Sequence, residues 1–462
     1  MKIAVCVKPF EGELTPFDAS ALEEALCVTG SEVTVVSMCP PSCSDMLRRL
    51  TRLGVKRVCL ISDPLYAGSD TLATAYILSK FFEKENFDAI FCGRQSSDGD
   101  TGQTGIGLAA NLGYECVTGV MSVVFSDGAA LVSTRTEETE ARLPAVLTFE
   151  RTKELRLPSI FSRLGETETL DNTVIRADAS RCGLKGSPTR VVRSFERDAG
   201  RRKCKFITPD KLLPLIERLK TAPRKRVEEQ APDSGEKLGL VWAVGDEVYN
   251  KAKHIAEKCE KLKKYDVLTL ERMIRASDPD AVFFGSDTYG KVTSSTLQSR
   301  LRTGLCADVT SLSVEDGTLY MFRPARGGKV YAEIKCVTRP ALATVRVSES
   351  RSDVIISGGR GVRDFDLIER LAERVNGTVG ASRGAVDRGS APYERQIGLT
   401  GKKASAVVYV AIGISGAVQH TCAIEDCEFV VAVNPDKSAR IFDYADYGVV
   451  AASEDIEKLL SQ

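Results

Sequence analysis

The sequence predicts an α/β protein in which one mostly parallel-sheet domain occurs twice and a third, doubly wound α/β domain closes the chain. Three observations carry that reading. Apolar strand-like runs alternate with helix-like runs from the first residues, the pattern of a parallel sheet with helical crossovers. Internal similarity marks a duplication: DAIFCG at Asp88–Gly93 recurs as DAVFFG at Asp280–Gly285, NLGYECVT at Asn111–Thr118 is echoed by RLRTGLCADVT at Arg300–Thr310, and LPAVLT at Leu143–Thr148 matches RPALAT at Arg339–Thr344. The three offsets agree to within a few residues of one another, so a strand, a polar loop, a helix and a following strand have been repeated. Finally, from Asp353 onward an apolar run three times ends in a Gly/Ser loop and resumes as a helix-like stretch.

The elements follow in order. The first copy opens with a strand at Lys2–Val7 and a helix near Ala19–Cys27. Then come a strand at Glu32–Met38, a helix near Ser44–Leu53, a strand at Arg57–Ile61 and a helix near Asp70–Lys84. The second copy runs from a strand at Leu238–Val244 to about Arg346, with the same alternation and fewer glycine-rich loops. Between the copies, Arg156–Ser194 is poor in strand signals, and the basic clusters Arg201–Lys205 and Arg224–Arg226 read as solvated surface. The charged, Pro-containing stretch Thr221–Lys237 reads as an interdomain linker. The plan is therefore a domain over 1–195, a divergent linker region over 196–236, a domain over 237–347 and a final domain over 348–462.

Composition narrows the function. A chain of 462 residues suggests about three domains. Lys+Arg and Asp+Glu are 63 each, which removes the electrostatic case for nucleic acid or an anionic membrane surface as partner. No apolar run approaches the ~20 residues of a membrane span. The start, MKIAVCVKPF, reads as a strand rather than a signal peptide. Fourteen cysteines show no CxxC spacing, and Cys6, Cys59, Cys92 and Cys336 lie inside apolar runs; they read as buried, reduced thiols of a cytoplasmic protein. With two histidines in the chain, a His-based metal site is not expected.

The densest signals lie in the last hundred residues. Loops that follow strands of an open α/β sheet share its carboxyl edge, where ligands bind. Bare backbone N–H groups at Gly358, Gly359 and Gly361, and again at Gly413 and Gly416, suit phosphate at helix starts. Isolated polar residues punctuate these loops: Arg360, Ser382, Arg383, Thr400, Gln419, His420 and Asn434. That is the make-up of a dinucleotide site with few, well-placed polar groups.

In order, GGRG, GASRGAVD, TGK, GISGAVQH, NPD and ADYG resemble the FAD-binding domain of the electron-transfer flavoprotein α subunit. The first copy is similar to the β subunit through PFDASALEEAL, AGSDTLATAYIL, CGRQSSDGDTGQTG and CGLKGSPTRVVRSF. The second copy, with GLCADVTSL and RPARGGKVYAEI, is similar to the α subunit's N-terminal domain. The resemblance thus covers nearly the whole chain, β part then α part, fused in one polypeptide. It implies two Rossmann-like (adenine nucleotide alpha hydrolase-like) domains and a FAD-binding domain. It also implies electron transfer at FAD, to or from a flavoprotein dehydrogenase such as an acyl-CoA-dehydrogenase-like partner.

The resemblance assigns residues as well. Arg383 matches the family's arginine over the flavin ring, and an arginine offsets negative charge on reduced flavin without titrating. His420 matches the histidine near the flavin C2 carbonyl, and Thr400 the hydroxyl towards N5. Arg360, Gly361, Ser382, Gly401, Gly413, Ser415, Gly416, Ala417 and Gln419 complete the expected FAD contacts, with Asn434 at the adenosine half. Two departures stand out: Leu399 replaces the usual Gln before TGK, and Ala451-Ala452 occupies the place of an acidic residue whose part passes to Glu454 or Asp455.

The first copy offers a second nucleotide site. Ser96–Gly105 is a Gly-rich turn opening into a helix, with donors at Gly102, Gln103 and Thr104 for a phosphate and with Asp98 and Asp100 shaping the turn. In the family this site holds AMP in ordinary members and a second FAD in electron-bifurcating ones. The run Ala67–Leu78 resembles the bifurcating pattern, with Asp70, Thr71 and Thr74 at the mouth of the site. The same residues also suit a plain helix N-cap at Ser69 or Asp70. A second FAD is favoured over AMP, and would bring NADH as reductant and ferredoxin or flavodoxin as acceptor. The basic loop Arg323–Lys329 either faces such a cleft or is a plain hairpin turn. The competing reading is a non-redox nucleotide-binding module or nucleotide-dependent enzyme on the same α/β fold, which fold alone does not exclude.

Overall fold

The computed structural model describes residues 1–126, 128–135, 137–196, 202–222, 235–326, 330–346, 352–398, 401–425 and 427–460. The chain divides into two compact units. One comprises Met1–Ser194, Ala231–Arg326 and Ala332–Arg346; the other comprises Phe195–Gln230, Gly327–Tyr331 and Val347–Gln462.

The first unit contains both copies of the repeat. Its larger sheet runs, edge to edge, Glu168–Leu170, Arg57–Ile61, Glu32–Met38, Lys2–Cys6, Ala89–Gly93, Ala145–Phe149 and Glu115–Ser126, all parallel, followed by the antiparallel strands Ala129–Thr134 and Glu138–Arg142. The second sheet runs Ala256–Leu262, Leu238–Val244, Ala281–Gly285, Ala341–Val345 and Leu305–Val309, all parallel. Laid side by side, the five strands of the second sheet take the places of Glu32–Met38, Lys2–Cys6, Ala89–Gly93, Ala145–Phe149 and Glu115–Ser126. The duplication legible in short strings therefore extends to strand order. Among the described residues, the second sheet has no counterpart of Arg57–Ile61.

Burial explains why these runs are strands rather than amphipathic helices. Ala145–Phe149 is buried at every position, as central parallel strands covered on both faces must be. Odd and even positions face opposite cores. Ile3, Val5, Phe91 and Leu147 pack on one side with Leu22, and Ala4, Ile90 and Val146 on the other with Ile77, Phe81 and Phe82. The helix expected near Asp70–Lys84 spans Thr71–Phe82, its first turn held by Asp70 as N-cap. The helix expected near Ala19 starts earlier, at Pro16, because Thr15 caps it and a proline suits the first helical turn.

The second unit is one parallel sheet in the order Lys205–Ile207, Tyr447–Val449, Phe429–Val433, Ala406–Ile412, Ser352–Gly358, Thr378–Ser382 and Gln396–Ile397. Counted from Ser352–Gly358, the last six strands lie in the doubly wound order 3-2-1-4-5-6, as expected. The seventh is a departure. The region 196–236, read as a divergent linker, supplies the edge strand Lys205–Ile207 and the helix Leu212–Lys220. That helix buries Leu212, Leu215, Ile216 and Leu219 in the core formed by Val354, Ile356, Val408, Val410 and Val431. The Arg202 guanidinium pairs with Asp446 and donates to the carbonyls of Glu428, at 3.1 Å, and Cys427, at 2.8 Å. A three-residue strand and a helix embedded among basic clusters give too short a period to read from sequence. The rest of the linker, 197–201 and 223–234, lies outside the described residues.

Among the described residues, no helix is long and apolar enough to cross a membrane. None of the cysteines is in a disulfide.

Candidate functional site

In the second unit the strands Ser352–Gly358 and Ala406–Ile412 are neighbours, and the sheet order reverses between them. The loops that leave their carboxyl ends therefore part to opposite faces and open a crevice. These are the loops that carry GGRG and GISG. They press together: Gly359 N–H donates to the Ile412 carbonyl at 2.7 Å and Gly361 N–H to the Gly413 carbonyl at 3.0 Å. A Cβ on Gly359 would strike the Gly413 carbonyl oxygen, and one on Gly413 would lie 2.9 Å from the Gly361 carbonyl carbon. Gly413 and Gly416 also have φ of 63° and 85°, the left-handed region that favours glycine. Glycine is thus a packing requirement here, and the N–H groups of Gly359, Gly361 and Gly413, expected to receive phosphate, are instead spent on the carbonyls of Ile412, Gly413 and Val433.

Around the loops, Arg360 is exposed, and its stem runs along Gly384, whose missing Cβ would meet the Arg360 Cβ at 3.3 Å. Arg388, unnoticed in the sequence, donates to the Arg360 carbonyl and steadies the loop. Ser382 caps the short helix Arg383–Asp387, and the Arg383 Nε lies 3.1 Å from Asp387 Oδ2, one turn on. Ser415, Ala417 and Gln419 are exposed. Gly401 packs so that a Cβ would strike the Gln396 carbonyl. Thr400 and Leu399 lie outside the described residues.

Two expected contacts are already engaged by protein. Asn434 is buried; its Nδ2 donates to the Ile414 carbonyl at 3.0 Å and its Oδ1 accepts from Asp436 N–H at 2.9 Å. It staples one crevice loop to the next. The His420 Nδ1 lies 3.0 Å from the Ile397 carbonyl and its Nε2 lies 2.9 Å from the Tyr409 hydroxyl. A carbonyl only accepts, so Nδ1 carries the proton and Nε2 accepts from Tyr409. Burial lowers the His420 pKa to about 4, so the ring is neutral and has no second N–H to offer a flavin carbonyl. Among the acidic residues near the Ala451-Ala452 departure, Glu454 pairs with Arg363 at 3.0 Å and Asp455 with Lys458 at 3.0 Å.

In the first unit the candidate loop follows the strand Ala89–Gly93. Asp100 takes a positive φ of 52° and its Oδ1 accepts from Gln95 at 3.1 Å, so it shapes the turn as expected. Gly102, at φ 65°, abuts the Arg94 carbonyl. Asp98 Oδ2 pairs with Lys8 Nζ at 2.6 Å, while its Oδ1 is buried without a partner. Burial pushes the Asp98 pKa up, but the Lys8 hydrogen bond and charge outweigh it and hold the carboxyl below its usual range. The helix Thr104–Leu112 begins after Gln103 with no side-chain cap. Thr71 Oγ1 lies 2.8 Å from Gln103 Oε1, so the two motifs meet. Thr74 lies in the first turn of its helix, its N–H on the Asp70 carbonyl.

Asp70 is consumed by structure. Its Oδ1 accepts from Leu72 and Ala73 N–H, and its Oδ2 from Thr189 N–H and Oγ1. It is the N-cap of the helix Thr71–Phe82, and no carboxylate oxygen is left over. Asp18, in PFDASALEEAL, binds the N–H groups of Lys8 and Gly93 at 2.9 and 3.2 Å, and so fixes the strand ends beneath the loop.

The carboxyl ends of both sheets also gather charge. Arg94 pairs with Glu150 at 2.6 Å and Arg346 with Asp308. Lys291 is exposed yet hemmed in by protein, which lowers its pKa with help from Arg94. Arg323 is 4 % exposed, with Nε and Nη2 lacking any partner. Motif reading gave Arg323 as part of a basic loop, whereas it lies in the strand Thr318–Ala325; Arg94 sits within the quoted CGRQSSDGDTGQTG without being singled out, and Lys291 lies in no quoted motif. Residues 327–329 of that loop are outside the described ones.

A doubly wound sheet with paired glycine loops at its switch point defines a dinucleotide-binding protein. The comparisons with known proteins specify which kind. The electron transfer flavoprotein domain matches twice, over residues 5–155 and 261–364, and the electron transfer flavoprotein FAD-binding domain matches residues 350–425. The chain is 31% identical over 283 residues to the electron transfer flavoprotein subunit alpha of Bacillus subtilis, covering 49% of this chain and 87% of that one. It is 34% identical over 229 residues to the alpha subunit of Thermoanaerobacterium thermosaccharolyticum, covering 39% and 69%. It is 32% identical over 253 residues to the acryloyl-CoA reductase electron transfer subunit beta of Anaerotignum propionicum, covering 38% and 69%. The chain belongs to the electron transfer flavoprotein family, with a β-like and an α-like part fused. The double match of one domain coincides with the internal repeat.

Proposed function

We propose that the chain carries electrons between flavoprotein dehydrogenases of the acyl-CoA-dehydrogenase-like kind, through FAD held in the crevice of the second unit. The observation that carries this reading is the pair of interlocked glycine loops at the switch point. They bring the side chains of Arg360, Ser382, Arg383, Ser415 and Gln419 to the switch point. That donor set fits a pyrophosphate and a ring that gains negative charge on reduction. Bound FAD would supply the one- and two-electron chemistry. The protein's part is to fix the ring, place the Arg383 charge near it and keep His420 neutral. The test is flavin content: purified chain is expected to carry one tightly held FAD in this unit. A colourless chain that takes up no FAD would defeat the proposal.

For the first unit we propose an adenine nucleotide at the loop Ser96–Gly105, a second FAD in preference to AMP. The support for a second FAD is the resemblance of Ala67–Leu78 to the bifurcating pattern; the cationic side chains Arg94, Lys291 and Arg323 suit the negative charge of either nucleotide. With a second FAD the chain would take electrons from NADH and divide them between the dehydrogenase and ferredoxin or flavodoxin; with AMP it is a single-flavin carrier. Acid denaturation and chromatography of the released nucleotides separate the two. Two FAD per chain with direct reduction by NADH supports the first; one FAD and one AMP with no NADH reaction supports the second.

A further inference from the structure

We propose that Gln298, on the second copy's helix Thr288–Leu301, is a positioning residue for the nucleotide site of the first copy, and that it serves a hydrogen-bond donor, the Gln103 amide, aimed at an anionic oxygen of the ligand. The inference rests on the reading of that site as a nucleotide site.

Glutamine is seldom fully buried, yet Gln298 is 1 % exposed. Its Nε2 lies 3.4 Å from Thr71 Oγ1, and Thr71 Oγ1 lies 2.8 Å from Gln103 Oε1. The directions of these bonds follow from proton counting. An amide nitrogen only donates and an amide oxygen only accepts. Thr71 therefore accepts from Gln298 and gives its single hydroxyl proton to Gln103 Oε1. With its carbonyl held, the Gln103 amide has one orientation, and its Nε2 hydrogens point away from Thr71.

That Nε2 is buried with no acceptor among the described residues, and Gln103 as a whole is 4 % exposed. Buried donors are nearly always matched, and an unmatched one costs about 1–3 kcal/mol. The missing acceptor belongs to a ligand. Gln103 immediately precedes the uncapped first turn of the helix Thr104–Leu112, whose backbone N–H groups favour negative charge. Amide and helix start thus converge on a phosphate oxygen, a chemistry that AMP and the pyrophosphate of FAD share.

The relay crosses between copies, so the site is incomplete without the second one. The helix that carries Gln298 also buries Thr293, Ser294, Ser295 and Ser299. Ser299 Oγ donates to the Gly107 carbonyl of the helix Thr104–Leu112 at 3.4 Å. Gly107 is small because its partner is close: a Cβ there would sit 3.3 Å from Ser299 Oγ. No motif announces this helix face; its signal is a run of small polar residues where an amphipathic helix would place apolar ones.

The experiment uses the full purified chain with its bound nucleotides. Thr71→Val removes the relay hydroxyl at nearly constant volume, Gln298→Leu removes the donor behind it, and Thr71→Ser keeps the hydroxyl as rescue. The readout is the rate at which adenine nucleotide leaves the first unit during dialysis, by chromatography of what remains, with the far-ultraviolet circular dichroism spectrum as the control for intact folding. Thr71→Val and Gln298→Leu are expected to lose the nucleotide on the order of tenfold faster, the effect of one hydrogen bond, while Thr71→Ser matches the parent. Equal retention in all four proteins overturns the relay and leaves the site reading standing. A parent chain with no adenine nucleotide beyond a single FAD overturns the site reading and the relay together.

Discussion

A buried imidazole set between a carbonyl and a hydroxyl has one tautomer and one charge state to adopt. His420 is in that position, and its acidic pKa has a consequence for stability. The folded value, about 4, lies below the ~6.5 of an unfolded histidine. The unfolded chain therefore takes up this proton first as pH falls. The stability due to neutral His420 is complete above pH 6.5 and is lost progressively down to pH 4. The loss amounts to roughly 3 kcal/mol by the size of the shift. Denaturant melts of the parent and of His420→Gln across this range should differ in slope, the variant being the flatter; parallel slopes would show that the ring ionises freely. Arg383 predicts a redox effect instead. Removing its charge by Arg383→Ala should lower the flavin midpoint potential by roughly 40 mV per electron, about 1 kcal/mol of charge interaction in a partly solvated site. Unchanged potentials in FAD-saturated variant would assign the arginine to its ion pair with Asp387 alone.

Elements differ in how far their sequences announced them. The strands of the repeat and the glycine loops were legible because each rests on a local rule: apolar runs for buried strands, and glycine where backbones touch. The identities of the loop residues were legible for the same reason. Their engagement was not. Asn434 and His420 were chosen as isolated polar residues in loops and Asp70 from the resemblance of its motif, and each is bonded to a backbone or hydroxyl group that lies far away in sequence. Tyr409, Gln298 and Lys291 were missed because their partners come from other elements. The helix Leu212–Lys220 was missed among its basic flanks, and it yields a prediction. Ile216 is fully buried in the core of the second unit, so Ile216→Ala should destabilise that unit by about 3 kcal/mol. Thermal release of flavin fluorescence should shift to lower temperature, and an unmoved transition would exclude the helix from that core. The segment with Leu157, Ile160 and Phe161 points outward instead, with exposures of 90, 85 and 87 %. Apolar clustering at a surface is the usual composition of an interaction site, which sets an expectation for this segment. Leu157→Asp and Phe161→Asp should slow electron transfer from a dehydrogenase at least several-fold and leave the flavin spectrum unchanged.

At the scale of the whole molecule, the two proposed nucleotide sites differ in construction. In the second unit the crevice is made by one sheet. In the first, the loop Ser96–Gly105 belongs to one copy while the relay reaching it starts in the other. Adenine nucleotide in the first unit should therefore stabilise the two copies against each other as well as itself. Proteolysis of nucleotide-depleted chain is expected to cut the second copy, residues 237–346, faster than that of replete chain. Equal cutting would mean that the copies pack independently of the ligand.

The strand Lys205–Ile207 and the helix Leu212–Lys220 precede the second copy along the chain, yet they are built into the last sheet. The polypeptide thus visits the final domain, departs to form the second copy, and comes back. A peptide bond within 223–234 is then dispensable for cohesion. A protease site engineered there should give two fragments that co-elute, because the front fragment keeps Leu215 and Ile216 buried in the rear one's core. Covalent continuity adds only a local concentration, in the millimolar range for a short tether. The same architecture is ready to exist as one reading frame or as two, with the wandering strand and helix as the clasp that makes either arrangement hold.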